Sequence, residues 1–175
     1  MISWPTSAKR WGRRPVPERP HDATAAERLA ILRRSRSVAL LGVSANPLRS
    51  SNFVATYLIR TPYLIRPVNP AYSEVLGIST FPSLADLPEP PDIVDVFRRR
   101  DQLPGVVEEA IEVGAKVVWF QLGLRHEEAA ARARDAGLQV VQDRCLKIEH
   151  ARFAGGLHAA GFNTGVVSSR RRRPI

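Results

Sequence analysis

At 175 residues, 44% hydrophobic and 25% charged, the chain has the length and apolar content of one globular domain with a sizeable core. No run approaches the roughly 20 apolar residues that span a bilayer, and the Arg/Pro-rich N-terminus lacks an apolar secretory segment. The lone Cys145 excludes an intrachain disulfide and a cysteine-based zinc site, so a soluble, cytoplasmic protein is expected. The formal net charge of +9 belongs mostly to two tails, with Lys9, Arg10, Arg13, Arg14 and Arg19 in one and Arg170 to Arg173 in the other, and the stretch between is nearly neutral. Such tails read as solvated ends, with weak, salt-sensitive contact to RNA or DNA as the alternative.

In chain order, residues 1–22 hold four prolines among the arginines and predict an extended lead-in, followed by a domain over 23–153 and an extension over 154–175. Thr24 with Glu27 three residues on marks a helix start, with Leu29, Ile31 and Leu32 on its apolar side, packed against the sheet edge. Ser37 to Val43 is a continuous apolar run, the mark of a parallel strand covered on both faces. A small-residue turn, Gly42 to Asn52, leads into a helix from Phe53 to Arg60. Tyr63 to Val68 is the second strand, with Pro67 near its end, and Val75 to Phe81 is a short third strand. Pro82 to Leu87 is a helical turn before a Pro-rich break. Ile93 to Phe97 is a strand, Leu103 to Val113 a helix stopped by Gly114, Lys116 to Leu122 a strand, Glu127 to Ala136 a helix closed by Gly137, and Leu138 to Val141 the last strand. This β-α-β rhythm predicts a single α/β domain built on a doubly wound, mostly parallel sheet with helices on both faces.

In such a sheet ligands bind beyond the carboxyl ends of the strands, where strand order reverses. Gly42 to Ser51, Asn69 to Tyr72, Phe97-Arg98, Trp119 to Gly123 and Asp143 to Cys145 should meet there in one crevice. The first turn matches neither G-x-G-x-x-G nor G-x-x-x-x-G-K-[ST]. Its Gly42 allows close backbone approach, Ser44, Ser50, Ser51 and Asn52 bring short polar groups to a helix start, and Arg49 adds a charge suited to phosphate. Pro62 to Pro70 contains no acid to hold a ribose, which disfavours NAD. Arg49 and Arg98 suit phosphate oxygens, and Phe97 and Tyr72 suit an adenine or an apolar arm. The predicted ligand is a polyphosphorylated adenine compound.

Five motifs in order, Gly42-Val43-Ser44-x-x-Pro47-x-Arg49-x-x-Asn52, Val68-Asn69-Pro70-x-Tyr72, Asp92 to Arg98, Gly114 to Gln121 and Asp143 to His150, closely resemble the stand-alone CoA-binding proteins. These are small relatives of the CoA-binding domain of the succinyl-CoA synthetase alpha subunit, and the resemblance covers about residues 27–153. It implies a Rossmann-like domain that binds coenzyme A, or acyl-CoA, with the phosphates at the first turn. By position, Gly42, Val43, Ser44, Ala45, Asn46, Pro47, Arg49, Ser50 and Asn52 would build the phosphate turn, Asn69, Pro70 and Tyr72 would meet the nucleotide, and Phe97, Arg98 and Gln121 would flank the pantetheine path. The expectation is a non-catalytic binding module. The alternatives are the CoA-binding subunit of an acyl-CoA synthetase completed by a partner, and a nucleic-acid-associated protein acting through its tails. A homo-oligomer or a synthetase partner remains open at this point.

Single residues invite sharper readings. Cys145 beside an apolar strand reads as packing rather than a nucleophile. His126 and His150 read as helix-face or surface residues rather than phosphate carriers. Asp92 and Asp95, three apart in a strand, point to opposite faces and form no acid/base pair, and Asp95 is expected to turn towards a backbone donor or Arg144. Arg98 to Arg100 lacks the aromatic partners of an RNA patch, Trp119 reads as core, and Gly42 to Asn46 lacks the second Gly of a hydrolase elbow.

Overall fold

The computed structural model describes residues 22–153, so the expected lead-in over 1–22, apart from its last residue, and the extension over 154–175 lie outside the described residues. The chain runs α1 (Ala25–Arg34), β1 (Ser37–Leu41), α2 (Ser50–Leu58), β2 (Leu64–Val68), β3 (Glu74–Val75), β4 (Ile78–Ser79), β5 (Ile93–Val96), α3 (Leu103–Glu112), β6 (Val117–Phe120), α4 (Glu127–Asp135), β7 (Gln139–Val141) and α5 (Leu146–Phe153). Five strands form one parallel sheet in the order β2-β1-β5-β6-β7. The chain steps outward from β1 to β2 and then crosses back to build β5, β6 and β7 on the other side. Strand order therefore reverses between β1 and β5, the place where doubly wound folds open a crevice.

The central strands are largely apolar, Asp95 of β5 apart, because helices cover both faces. Val38, Leu40, Ile93, Val117 and Trp119 pack with α1, α2 and α5, while Ala39, Leu41, Val94, Val96, Val118 and Phe120 pack with α3 and α4. Alternate residues of one strand thus feed two cores. The Thr24 capping box starts α1, with the Glu27 amide donating to Thr24 Oγ1 at 3.2 Å and the Thr24 amide donating to Glu27 Oε2 at 2.7 Å. Among the described residues no helix is long and apolar enough to cross a membrane.

Three expectations change in detail. β1 stops at Leu41, because Gly42 turns at φ 86°. α2 starts at Ser50, one turn earlier than expected. The run from Val75 to Phe81 is not a third strand of the sheet: Leu76 and Gly77, both at positive φ, reverse the chain into the β3-β4 hairpin, and only Phe81 pairs with β2, opposite Val68. β7 is the last strand, as expected, and a helix that the strand pattern did not foresee, α5, follows it and folds back onto the β1–α2 side of the sheet. Pro67 is tolerated inside β2 because the Leu64 amide faces β1, so by alternation the missing Pro67 N–H falls on the outer edge.

Candidate functional site

Gly42 carries two demands at once. Its φ of 86° suits glycine, and a Cβ there would lie 2.6 Å from the Phe97 carbonyl oxygen and 3.1 Å from Arg98 Cδ and Nε. The end of β1 and the end of β5 therefore touch backbone to backbone, with the Arg98 side chain laid across the glycine. The Gly42 amide donates to the Val68 carbonyl and the Phe97 amide to the Leu41 carbonyl, each at 2.8 Å.

Beyond Gly42 the turn is held by its own polar side chains. The Ser44 amide donates to Ser51 Oγ at 3.1 Å, the Asn46 amide to Ser44 Oγ at 3.1 Å, and the Leu48 amide to Asn46 Oδ1 at 2.9 Å. Asn52 Nδ2 donates to the Ser44 carbonyl at 2.9 Å, and Asn69 Nδ2 to the Val43 carbonyl at 2.8 Å. The Ser44 and Tyr72 hydroxyls are 3.2 Å apart. Several side chains expected near the phosphates thus spend hydrogen bonds on shaping the loop.

What the loop leaves open is the start of α2. Arg49 is its N-cap and makes no side-chain capping bond, the first turn holds no acidic residue, and the amides of Asn52 and Phe53 turn back to the Arg49 carbonyl. The Ser50 and Ser51 amides take no acceptor among the described residues, and such N–H groups with the helix dipole favour an anion. Neither Arg49 nor Arg98 meets a carboxylate among the described residues.

A cavity of about 380 Å³ opens here, lined by Gly42, Ser44, Arg49, Ser50, Ser51, Phe97, Arg98, Gln121, Leu122 and Leu124. Seven residues expected at the site, Gly42, Ser44, Arg49, Ser50, Phe97, Arg98 and Gln121, come together in it. Val43 and Asn52 are buried beneath the loop, Ala45, Asn46 and Pro47 lie on its exposed outer side, and Asn69, Pro70 and Tyr72 flank it through the Ser44–Tyr72 contact. Leu124 was missed, since nothing in its local pattern separates it from an ordinary loop residue.

Asp95, expected to reach a backbone donor or Arg144, instead accepts from Gln121 Nε2 at 2.7 and 2.9 Å on its two oxygens. It is fully buried, and burial pushes its carboxyl well above the ordinary range while the Gln121 donor opposes the rise. Arg144 serves another purpose: its carbonyl accepts from Trp119 Nε1 at 2.7 Å, which ties the loop after β7 to a core tryptophan. In that loop Asp143, at φ 53°, accepts from the Gly123 amide at 2.7 Å. Burial raises the half-buried Cys145 thiol above its usual value, against donation from the Ile148 and Lys147 amides. His150 is buried, with Nδ1 2.9 Å from the Tyr57 hydroxyl, and burial lowers its pKa. His126 caps α4 by accepting from the Ala129 amide.

A Rossmann-like α/β domain with a basic, helix-capped crevice at its switch point belongs to the nucleotide-binding class of folds. Residues 36–151 match the family model described as CoA binding domain, and the chain belongs to that family. It is 44% identical over 126 residues to the uncharacterized protein YneT of Bacillus subtilis (strain 168), covering 72% of this chain and 93% of that one. A hypothetical protein from Pyrococcus horikoshii OT3 superposes with a TM-score of 0.75 at 42% identity, over 79% of this chain and 99% of its own. A dinucleotide-forming acetyl-coenzyme A synthetase of Ca. Korarchaeum cryptofilum shares the fold at 21% identity and a TM-score of 0.57, over 61% of this chain and 25% of its own.

Proposed function

We propose that the protein binds coenzyme A or acyl-CoA in this crevice as a module without catalysis of its own. In this reading Ser50, Ser51, Arg49 and Arg98 take the phosphates, Asn69, Pro70 and Tyr72 face the nucleotide, and Phe97 and Gln121 border the pantetheine arm. One observation carries it: two guanidinium groups, neither paired with a carboxylate among the described residues, flank the open amides of a helix start in one cavity. The apolar side chains of Leu122 and Leu124 beside that charge suit a ligand that is anionic at one end and apolar along its length. Val68-Asn69-Pro70 at the end of β2 offers no carboxylate for a ribose, which weighs against NAD.

Titration calorimetry tests the reading, with CoA expected to bind and NAD to give no heat of binding. Equal affinity for the two, or no binding of CoA, contradicts it. A second reading, a CoA-holding subunit completed by a partner in trans, draws support from the same fold forming about a quarter of an acetyl-coenzyme A synthetase chain. Thioester formation from acid, CoA and ATP by the purified protein alone would favour an enzyme over both.

A further inference from the structure

The buried Asp95 is left without a task by the phosphate site. It lies on β5 in register with Leu40 of β1 and Trp119 of β6, an apolar row in which a carboxyl costs several kcal/mol unless it is fully hydrogen-bonded. Among the described residues its hydrogen-bond partner is one amide nitrogen, Gln121 Nε2, within reach of both carboxylate oxygens. Gln121 follows β6 by one residue and lines the crevice. With Nε2 turned inward, its Oε1 takes no hydrogen bond from a described residue and is not sealed from solvent, which in a residue lining the crevice leaves it open to a ligand there. With Asp95 ionised, the reverse amide would set Oε1 against two carboxylate oxygens in a low-dielectric interior, where such a clash is costly.

We infer that Asp95 is a positioning residue: it locks the Gln121 amide so that the crevice presents a fixed hydrogen-bond acceptor, and the ligand must meet it with a donor such as a secondary amide N–H. This rests on the CoA reading and deepens it, because a pantetheine arm carries amide N–H groups. The pairing also accounts for a carboxyl placed in an otherwise apolar strand. Asparagine at 95 would offer Gln121 one donor and one acceptor, and the amide would then settle either way round.

The test compares two ligands at about pH 8 by calorimetry: CoA, and 3′-phosphoadenosine 5′-diphosphate, which has the phosphates without the arm. Asp95→Asn should weaken CoA about 2-fold, because the ligand must then select one of two amide orientations, and leave the nucleotide half unchanged. Gln121→Leu removes the acceptor altogether and should weaken CoA about 5–10-fold, the worth of one ordinary hydrogen bond, with the nucleotide half again unchanged, and Asp95→Asn should add nothing in the Gln121→Leu background, since the two act as a unit. Equal weakening of both ligands, additive losses in the double variant, or unchanged CoA affinity in either single variant overturns the inference. If either single variant does not fold, the double variant Asp95→Leu/Gln121→Leu, which leaves neither member of the pair stranded, carries the same two-ligand comparison. Wild-type protein that binds the nucleotide half as tightly as CoA contradicts this inference alone, whereas wild-type protein that binds neither contradicts the CoA reading as well.

Discussion

Arg49 stands at the N-cap of α2 with extended backbone (φ −89°, ψ 139°) and no capping bond from its side chain, so its guanidinium is available to a ligand without cost to the helix. Arg49→Ala should weaken CoA binding by about 1.5–3 kcal/mol, the usual worth of a charge-assisted contact, with little change in the melting temperature of the ligand-free protein. Lysine there should recover only part of the affinity, because it lacks the bidentate fork. Gly42 has the opposite profile. Gly42→Ala forces a side chain into positive φ and against the Phe97 carbonyl, and should cost stability by at least about 1–2 kcal/mol in denaturant melts. Both residues were legible in the turn, one as a charge before a helix and one as a glycine after a strand. The role of Asp95 was not, because a strand pattern places it in the core without naming its partner 26 residues away; the readable signal was only a carboxyl inside an apolar run.

At the scale of elements, α5 is the piece the β-α-β rhythm foretold least, since Asp143 to Phe153 mixes charge and apolar residues with no strong stripe. It is fastened instead by pairs distant in sequence. Glu149 accepts from Arg28 Nε of α1 at 3.0 Å with both side chains almost wholly buried, and from Arg152 at 2.9 Å, while Arg28 also donates to the Ala23 carbonyl. Arg28→Ala leaves a buried carboxylate short of a partner and should cost about 3–5 kcal/mol, whereas replacing Arg28 and Glu149 together by Met and Leu should cost far less. His150 on the same helix is packed edge-on against Tyr57 and Tyr63, and burial there also pushes the Tyr63 hydroxyl up to about 12. Because burial holds His150 below its ordinary value of 6.5, the unfolded chain takes the proton first as pH falls. Its contribution is therefore complete above about pH 6.5 and declines below it until the folded value is reached. In thermal melts from about pH 7 to 5, His150→Gln should lose less stability than the wild type; an equal or steeper loss contradicts the assignment.

For the whole molecule, the doubly wound order was legible because each strand is a short apolar run between helix-length segments, and handedness rules leave few ways to assemble them. The β3-β4 hairpin escaped that logic, since a leucine at positive φ is a choice the local sequence does not announce. Charge was also readable at this scale: the near-neutral middle of the chain and the arginine-rich ends are separable. Removing residues 1–20 and 170–175 should leave CoA affinity almost unchanged and reduce any salt-sensitive retention on RNA or DNA. Loss of CoA binding on trimming would mean that the tails complete the site. The most direct measurement is a crystal structure of the protein grown with CoA. The account predicts phosphate oxygens within hydrogen-bond distance of the Ser50 and Ser51 amides and of the Arg49 guanidinium, with the arm passing Gln121. Phosphates seated elsewhere, such as in the groove between Leu41, Gln102 and Glu109 on the α3 side, would contradict it.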